Sequence, residues 1–253
     1  MQYKAIFIDI DDTLLDYIPC CREAFDAAMT YLTAQRSYSD NGPTEALPGS
    51  YSPQDDLFNL FFEISGRLFS EAKRGLHTVA EVMELYPAEF CARAGYPPQA
   101  VDPFKHAFRE AWGKTHVLVP GAAETLQALK NKGYRLFAAS NSFGHLQRSR
   151  LEYAGILPYF EDTYISMDIG YDKPDVRFYE EALRRCGLAP EEVLMVGDSM
   201  TTDILGAINA GLDAVFFNRR PEEQGSTKET DRSMPQYKEI RALDELLSVI
   251  PIL

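Results

Sequence analysis

The chain has 253 residues, 45% hydrophobic and 12% aromatic, enough to bury a sizeable core in one large domain or two modest ones, so a disordered chain is not expected. With 25 Lys plus Arg against 38 Asp plus Glu, its formal charge of -13 repels nucleic acid and acidic membrane surfaces on average. Cys20, Cys21, Cys91 and Cys186 show neither C-x-x-C spacing nor a disulfide framework, and no apolar stretch approaches the roughly 20 residues that span a bilayer; the expectation is a cytoplasmic protein without zinc or membrane attachment.

In chain order, Ala5 to Ile8 reads as a short buried strand running into Asp9-Ile10-Asp11-Asp12-Thr13. Carboxylates crowded at the end of an apolar strand resist ionising together unless a cation or a lysine neutralises them. An oxygen donor set with few histidine or thiol neighbours suits a hard ion such as magnesium.

Residues 17–115 then carry more helical periodicity than a single crossover needs. Ala24, Phe25, Ala28, Met29 and Leu32 recur at helix spacing, as do Leu57, Phe58, Leu60, Phe61, Ile64, Leu68 and Phe69. Tyr38 to Gln54, dense in Gly, Pro, Ser, Asn and Asp, reads as a long loop joining two helices. The whole segment is expected to be an inserted helical domain.

Beyond it, Ala122 to Lys130 predicts a helix that starts after Pro120-Gly121 and ends before Gly133, and Tyr134 to Ala139 predicts a strand. Val176 to Cys186 predicts a second helix, opened by Pro174-Asp175 and stopped at Gly187; Val193 to Val196 and Ala214 to Phe217 predict two more strands. This alternation implies a parallel sheet in a Rossmann-like, three-layer α/β core built from residues 1–16 and 116–253. Arg219 to Gln236 reads as a polar surface excursion, Tyr237 to Arg241 as a short strand, and Leu243, Leu246, Leu247 and Ile250 as a closing helix.

Chemistry-bearing residues fall at the ends of predicted elements: Asp9-x-Asp11-x-Thr13, Ser140-Asn141, Lys173 in Gly170-Tyr171-Asp172-Lys173-Pro174-Asp175, and Gly197-Asp198-Ser199-Met200-Thr201-Thr202-Asp203. Taken singly, each also fits a turn or a helix cap, where Asp, Ser and Thr accept from backbone amides. Capping alone would not select this order at successive strand ends. His77, His106, His116 and His145 lack zinc-site spacing, and neither a P-loop nor a nucleophile elbow is present.

In order and position these motifs resemble the haloacid dehalogenase superfamily of phosphohydrolases, across essentially the whole chain. The resemblance implies Asp9 as nucleophile, Asp11 as general acid and base, and Lys173 as the fixed charge beside the phosphate. It implies that Ser140 and the amide of Asn141 grip phosphate oxygens. It also implies Mg2+ held by Asp9, the Asp11 carbonyl and Asp198, with Thr13 and Asp203 in support.

An aspartate at position 11 points to phosphate transfer, because the superfamily's dehalogenases lack one there. The insert resembles the caps that close over small substrates, and Val193 to Gly211 (VLMVGDSMTTDILGAINAG) looks most like the pyrimidine 5'-nucleotidase branch. Nucleoside monophosphates such as UMP or dTMP are the leading substrates on that resemblance, with a sugar-phosphate phosphatase or phosphomutase as alternative. Tyr86-Pro87 stands where relatives tend to carry an arginine. A monomer or homodimer acting on a small phosphorylated metabolite is expected. A receiver-type signalling module, with its own clustered aspartates, lysine and magnesium, is about half this length and has no large insert after its first strand.

Overall fold

In the computed structural model, residues 3–39, 54–220 and 237–250 are described. The chain opens with β1 (Ala5–Ile8), passes through helices α1 (Tyr17–Ser39), α2 (Gln54–Lys73), α3 (Val79–Arg93) and α4 (Val101–Trp112), and continues with α5 (Ala122–Asn131) and β2 (Arg135–Ser140). Helix α6 (Gly144–Tyr153), β3 (Asp162–Ile165), α7 (Ser166–Ile169), α8 (Val176–Cys186) and β4 (Val193–Gly197) follow. Then come α9 (Gly206–Asn209), β5 (Asp213–Phe217), β6 (Lys238–Ile240) and α10 (Leu246–Val249). Two compact units result, one from Met1–Tyr17 with His116–Leu253 and one from Ile18–Thr115.

The first unit holds a 6-stranded sheet in the order β3-β2-β1-β4-β5-β6, every pairing parallel. Alternation along β1 divides its side chains between two faces. Ile6 and Ile8 join Leu136, Ala138, Leu194 and Val196 under Leu126 and Leu129 of α5, with Leu243 and Leu246 closing that layer. Ala5 and Phe7 join Phe137, Ala139, Val193 and Met195 beneath Phe178, Tyr179 and Ala182 of α8. The result is the Rossmann-like α/β core, helices on both faces of a buried parallel sheet.

Among the elements that the sequence pattern does not announce, α6 and β3 belong to the core unit. The edge strand begins with exposed Asp162 and shows only a short apolar run, while the buried face of α6 includes Gln147 and Arg150 and so breaks the apolar period. The expected excursion Arg219 to Gln236 lies, from residue 221 onward, outside the described residues.

The second unit is helical. Its centre is aromatic: Phe25, Phe61, Phe90 and Phe104 are buried, with ring centroids 5.1 Å apart for Phe25 and Phe61 and 4.9 Å for Phe90 and Phe104. Tyr86 is part of this packing, its ring 5.4 Å from that of Phe61, so at the expected arginine position this chain carries a core side chain. Of the expected loop Tyr38 to Gln54, residues 40–53 lie outside the described residues, Tyr38 and Ser39 end α1, and Gln54 opens α2. No helix among the described residues is long and apolar enough to cross a membrane.

Candidate active site

Because β1 lies between β2 and β4, the carboxyl ends of three adjacent strands deliver Asp9, Ser140 and Asp198 to one edge of the sheet. In doubly wound sheets such a point, where successive strands depart to opposite sides, is where ligands bind. Asp9 continues the strand geometry, its amide donating to the Val196 carbonyl at 2.9 Å. The chain then turns sharply. Leu14 and Leu15 amides both donate to the Ile10 carbonyl, and Asp12 takes a left-handed conformation (φ 58°) that Asp tolerates better than most side chains.

Lys173 enters from the segment before α8, and all three of its ammonium hydrogens are used. Nζ donates to Asp9 Oδ1 at 2.7 Å, Asp203 Oδ1 at 2.6 Å and the Ala139 carbonyl at 2.7 Å. Its backbone is gripped as well. The Asn141 side chain donates from Nδ2 to the Lys173 carbonyl and accepts at Oδ1 from the Lys173 amide, both at 2.8 Å. That side-chain amide is therefore committed to holding the lysine.

Asp203 sits in a single π-helical turn, Met200–Leu205, capped by Ser199. The Ser199 amide donates to Asp203 Oδ2 at 3.0 Å. Gly197 is needed here because a Cβ at that position would collide with the Asp203 carboxylate. Asp9, Asp198 and Asp203 each place one carboxylate oxygen within 4.8 Å of the others. Asp203 thus belongs both to the lysine's shell and to this acidic cluster. Thr13 is fully buried, and its Oγ1 has no hydrogen-bond partner among the described residues.

Burial pushes the Asp9 carboxyl up to about 7, against the pull of Lys173 and reinforced by Asp203. Burial also disfavours the Lys173 ammonium, yet Asp203 and Asp9 outweigh it and hold its pKa above the ordinary lysine value. When ionised, the three carboxylates exceed the one lysine by two negative charges, and their donor atoms are all oxygen. This set fits a hard divalent cation, with Asp9 and Asp198 as candidate ligands and Asp203, whose two oxygens already accept from Lys173 and the Ser199 amide, in support.

Asp11 points to partners that the sequence reading missed. Its Oδ1 accepts from Arg150 Nη1 at 2.6 Å and its Oδ2 from Gln147 Nε2 at 2.7 Å, both from α6. Gln147 Nε2 also donates to Ser140 Oγ at 3.0 Å. On the far side of the turn, Arg219 pairs with Asp12 and Asp16, and Arg220 with Asp16. The bond to Arg219, against the opposing effect of burial, holds the Asp16 carboxyl below the usual range.

A parallel α/β sheet whose adjacent strand ends gather carboxylates around a buried lysine is an arrangement suited to phosphoryl chemistry. Comparison with known proteins makes this specific. The family model of haloacid dehalogenase-like hydrolases matches residues 3–211, and the chain belongs to that family. Similar proteins include the glyceraldehyde 3-phosphate phosphatase of Methanothermobacter thermautotrophicus, 30% identical over 257 residues that cover 99% of each chain. The pyrimidine 5'-nucleotidase PynA of Streptococcus pneumoniae is 29% identical, over 95% of this chain and 94% of that protein. Among solved structures, the HAD-hydrolase YfnB of Bacillus subtilis, bound to magnesium, superposes with a TM-score of 0.79 at 25% identity over 100% of both chains.

Proposed function

We propose that the chain is a magnesium-dependent phosphomonoester hydrolase that works through an aspartyl-phosphate on Asp9. The observation that carries this reading is the contact of one buried ammonium, Lys173 Nζ, with both Asp9 and Asp203 at the point where Asp198 also converges. Asp9 attacks phosphorus while the leaving-group oxygen departs with a proton from Asp11; a water then attacks the same phosphorus, gives its proton to Asp11, and returns Asp9 to carboxylate. Lys173 lets an anionic nucleophile and an anionic substrate approach, and Ser140 with the Asn141 amide holds the phosphate oxygens. Asp9, the Asp11 carbonyl and Asp198 would hold Mg2+, with Thr13 and Asp203 in support. When bound, the ion supplies charge neutralisation of the phosphoryl group.

The helical insert, residues 17–115, serves in this reading as the substrate-selecting cap. Likeness to PynA supports nucleoside 5'-monophosphates, and likeness to the archaeal enzyme supports a triose or other sugar phosphate as second reading. A panel of phosphorylated metabolites, assayed for phosphate release with magnesium, tests both. Nucleotides ahead of sugar phosphates support the first reading, the reverse order supports the second, and absence of turnover on every monoester refutes the function.

A further inference from the structure

Helix α6 presents polar side chains where a core-facing helix ordinarily presents apolar ones. Gln147 and Arg150 both have 0% exposure, and a guanidinium is costly to bury unless it is paired. Its pair is the carboxylate that the proposed reaction uses to carry the proton. Neither side chain belongs to the motifs at the strand ends.

The hydrogen bonds define a single orientation. Gln147 offers two hydrogens on Nε2, one directed to Asp11 Oδ2 and one to Ser140 Oγ, while its Oε1 accepts from Arg150 Nη1 at 2.8 Å. Flipping the amide would set its oxygen against the carboxylate and its hydrogens against the guanidinium, so the neighbours dictate the assignment. Ser140 Oγ is then an acceptor toward Gln147, and its own hydrogen must point elsewhere. Arg150 completes the frame by holding the other oxygen of Asp11.

The geometry points to Gln147 and Arg150 as positioning residues that lock the proton-carrying Asp11 and the phosphate-gripping Ser140 into one rigid frame. The inference rests on the phosphohydrolase reading. Neither residue reacts: Gln147 fixes the distance between Asp11 and Ser140 and orients the Ser140 hydroxyl as a donor to the anion. Arg150 holds Asp11 Oδ1 and, with Gln147 on Oδ2, fixes the rotamer of the carboxylate. Such alignment matters most where leaving-group protonation limits the rate, because a 1 Å misplacement can cost about a hundredfold.

The test compares an alkyl phosphate, whose leaving oxygen needs a proton, with an aryl phosphate, whose leaving oxygen needs one less. Gln147→Met and Arg150→Met should lower kcat on the alkyl ester by about 10- to 100-fold and on the aryl ester by about threefold or less. Gln147→Met should in addition raise KM for both esters, and Arg150→Lys should recover part of the alkyl rate. In an Asp11→Ala background neither change should alter the alkyl-to-aryl ratio further, a coupling that a purely structural role would not produce. If Arg150→Met fails to fold by circular dichroism, Gln147→Met and Arg150→Lys decide the question. Equal losses on the two esters, in a wild type that hydrolyses both, overturn the positioning role and leave the phosphohydrolase reading intact. A wild type inactive on every monoester overturns both.

Discussion

Replacing Lys173 with Met removes a buried cation and keeps a similar volume. In the wild type Nζ lies 2.7 Å from Asp9, 2.6 Å from Asp203 and 2.7 Å from the Ala139 carbonyl. The variant leaves two carboxylates facing each other and one carbonyl without its donor. Breaking a buried ion pair by deleting one partner costs about 3–5 kcal/mol, and an orphaned buried acceptor about 1–3 kcal/mol. Protonation of Asp9 returns part of this, since burial already pushes its carboxyl up to about 7. We therefore expect a loss of about 3–5 kcal/mol in the metal-free protein, which at about 2–4 °C per kcal/mol lowers Tm by about 6–20 °C. Urea and thermal unfolding in EDTA, followed by far-UV circular dichroism, read this directly, alongside phosphate release. A variant within about 1 kcal/mol of wild type, or one that keeps substantial activity, would refute the reasoning that Lys173 neutralises the acidic cluster.

Chelation with EDTA should abolish phosphate release and added magnesium should restore it; metal-independent turnover would remove the proposed site. Asp11→Asn should reduce alkyl phosphate hydrolysis more than aryl phosphate hydrolysis, and equal reductions would count against leaving-group protonation. Asp9 links stability to pH. Its folded value of about 7 lies above its ordinary 3.8, so its contribution is full below the unfolded value and is lost as pH rises through the folded one. Metal-free wild type should accordingly lose stability relative to Asp9→Asn between about pH 4 and 7, by a few kcal/mol. Urea midpoints across that range measure the difference, and a flat difference would contradict it.

Sequence legibility followed the physics of each element. Strands β1, β2, β4 and β5 are apolar runs between turn signals, and α8 carries its apolar stripe between Asp175 and Gly187, so pattern alone located them. Helix α6 has no apolar period to read because Gln147 and Arg150 occupy its buried face, and their reason for being there is Asp11, more than 130 residues earlier in the chain. A period that fails for such a reason often marks a functional place. Ser140 and Asn141 were visible at a strand end, but the part Asn141 plays in holding the Lys173 backbone depends on a tertiary contact that spacing does not encode. Similarly, the resemblance implies Asp203 as a support of the metal, whereas its contact with Lys173 and its place beside Asp9 and Asp198 depend on the π-helical turn that carries it.

The central claim is that Asp9 carries the phosphoryl group during turnover. Acid quenching of the magnesium-loaded enzyme during steady-state hydrolysis of an aryl phosphate, followed by peptide mass mapping, measures it most directly. One added phosphoryl group is expected on the peptide containing Asp9, and its loss together with turnover in Asp9→Asn. Label on another residue, or undiminished phosphate release by Asp9→Asn, would contradict it.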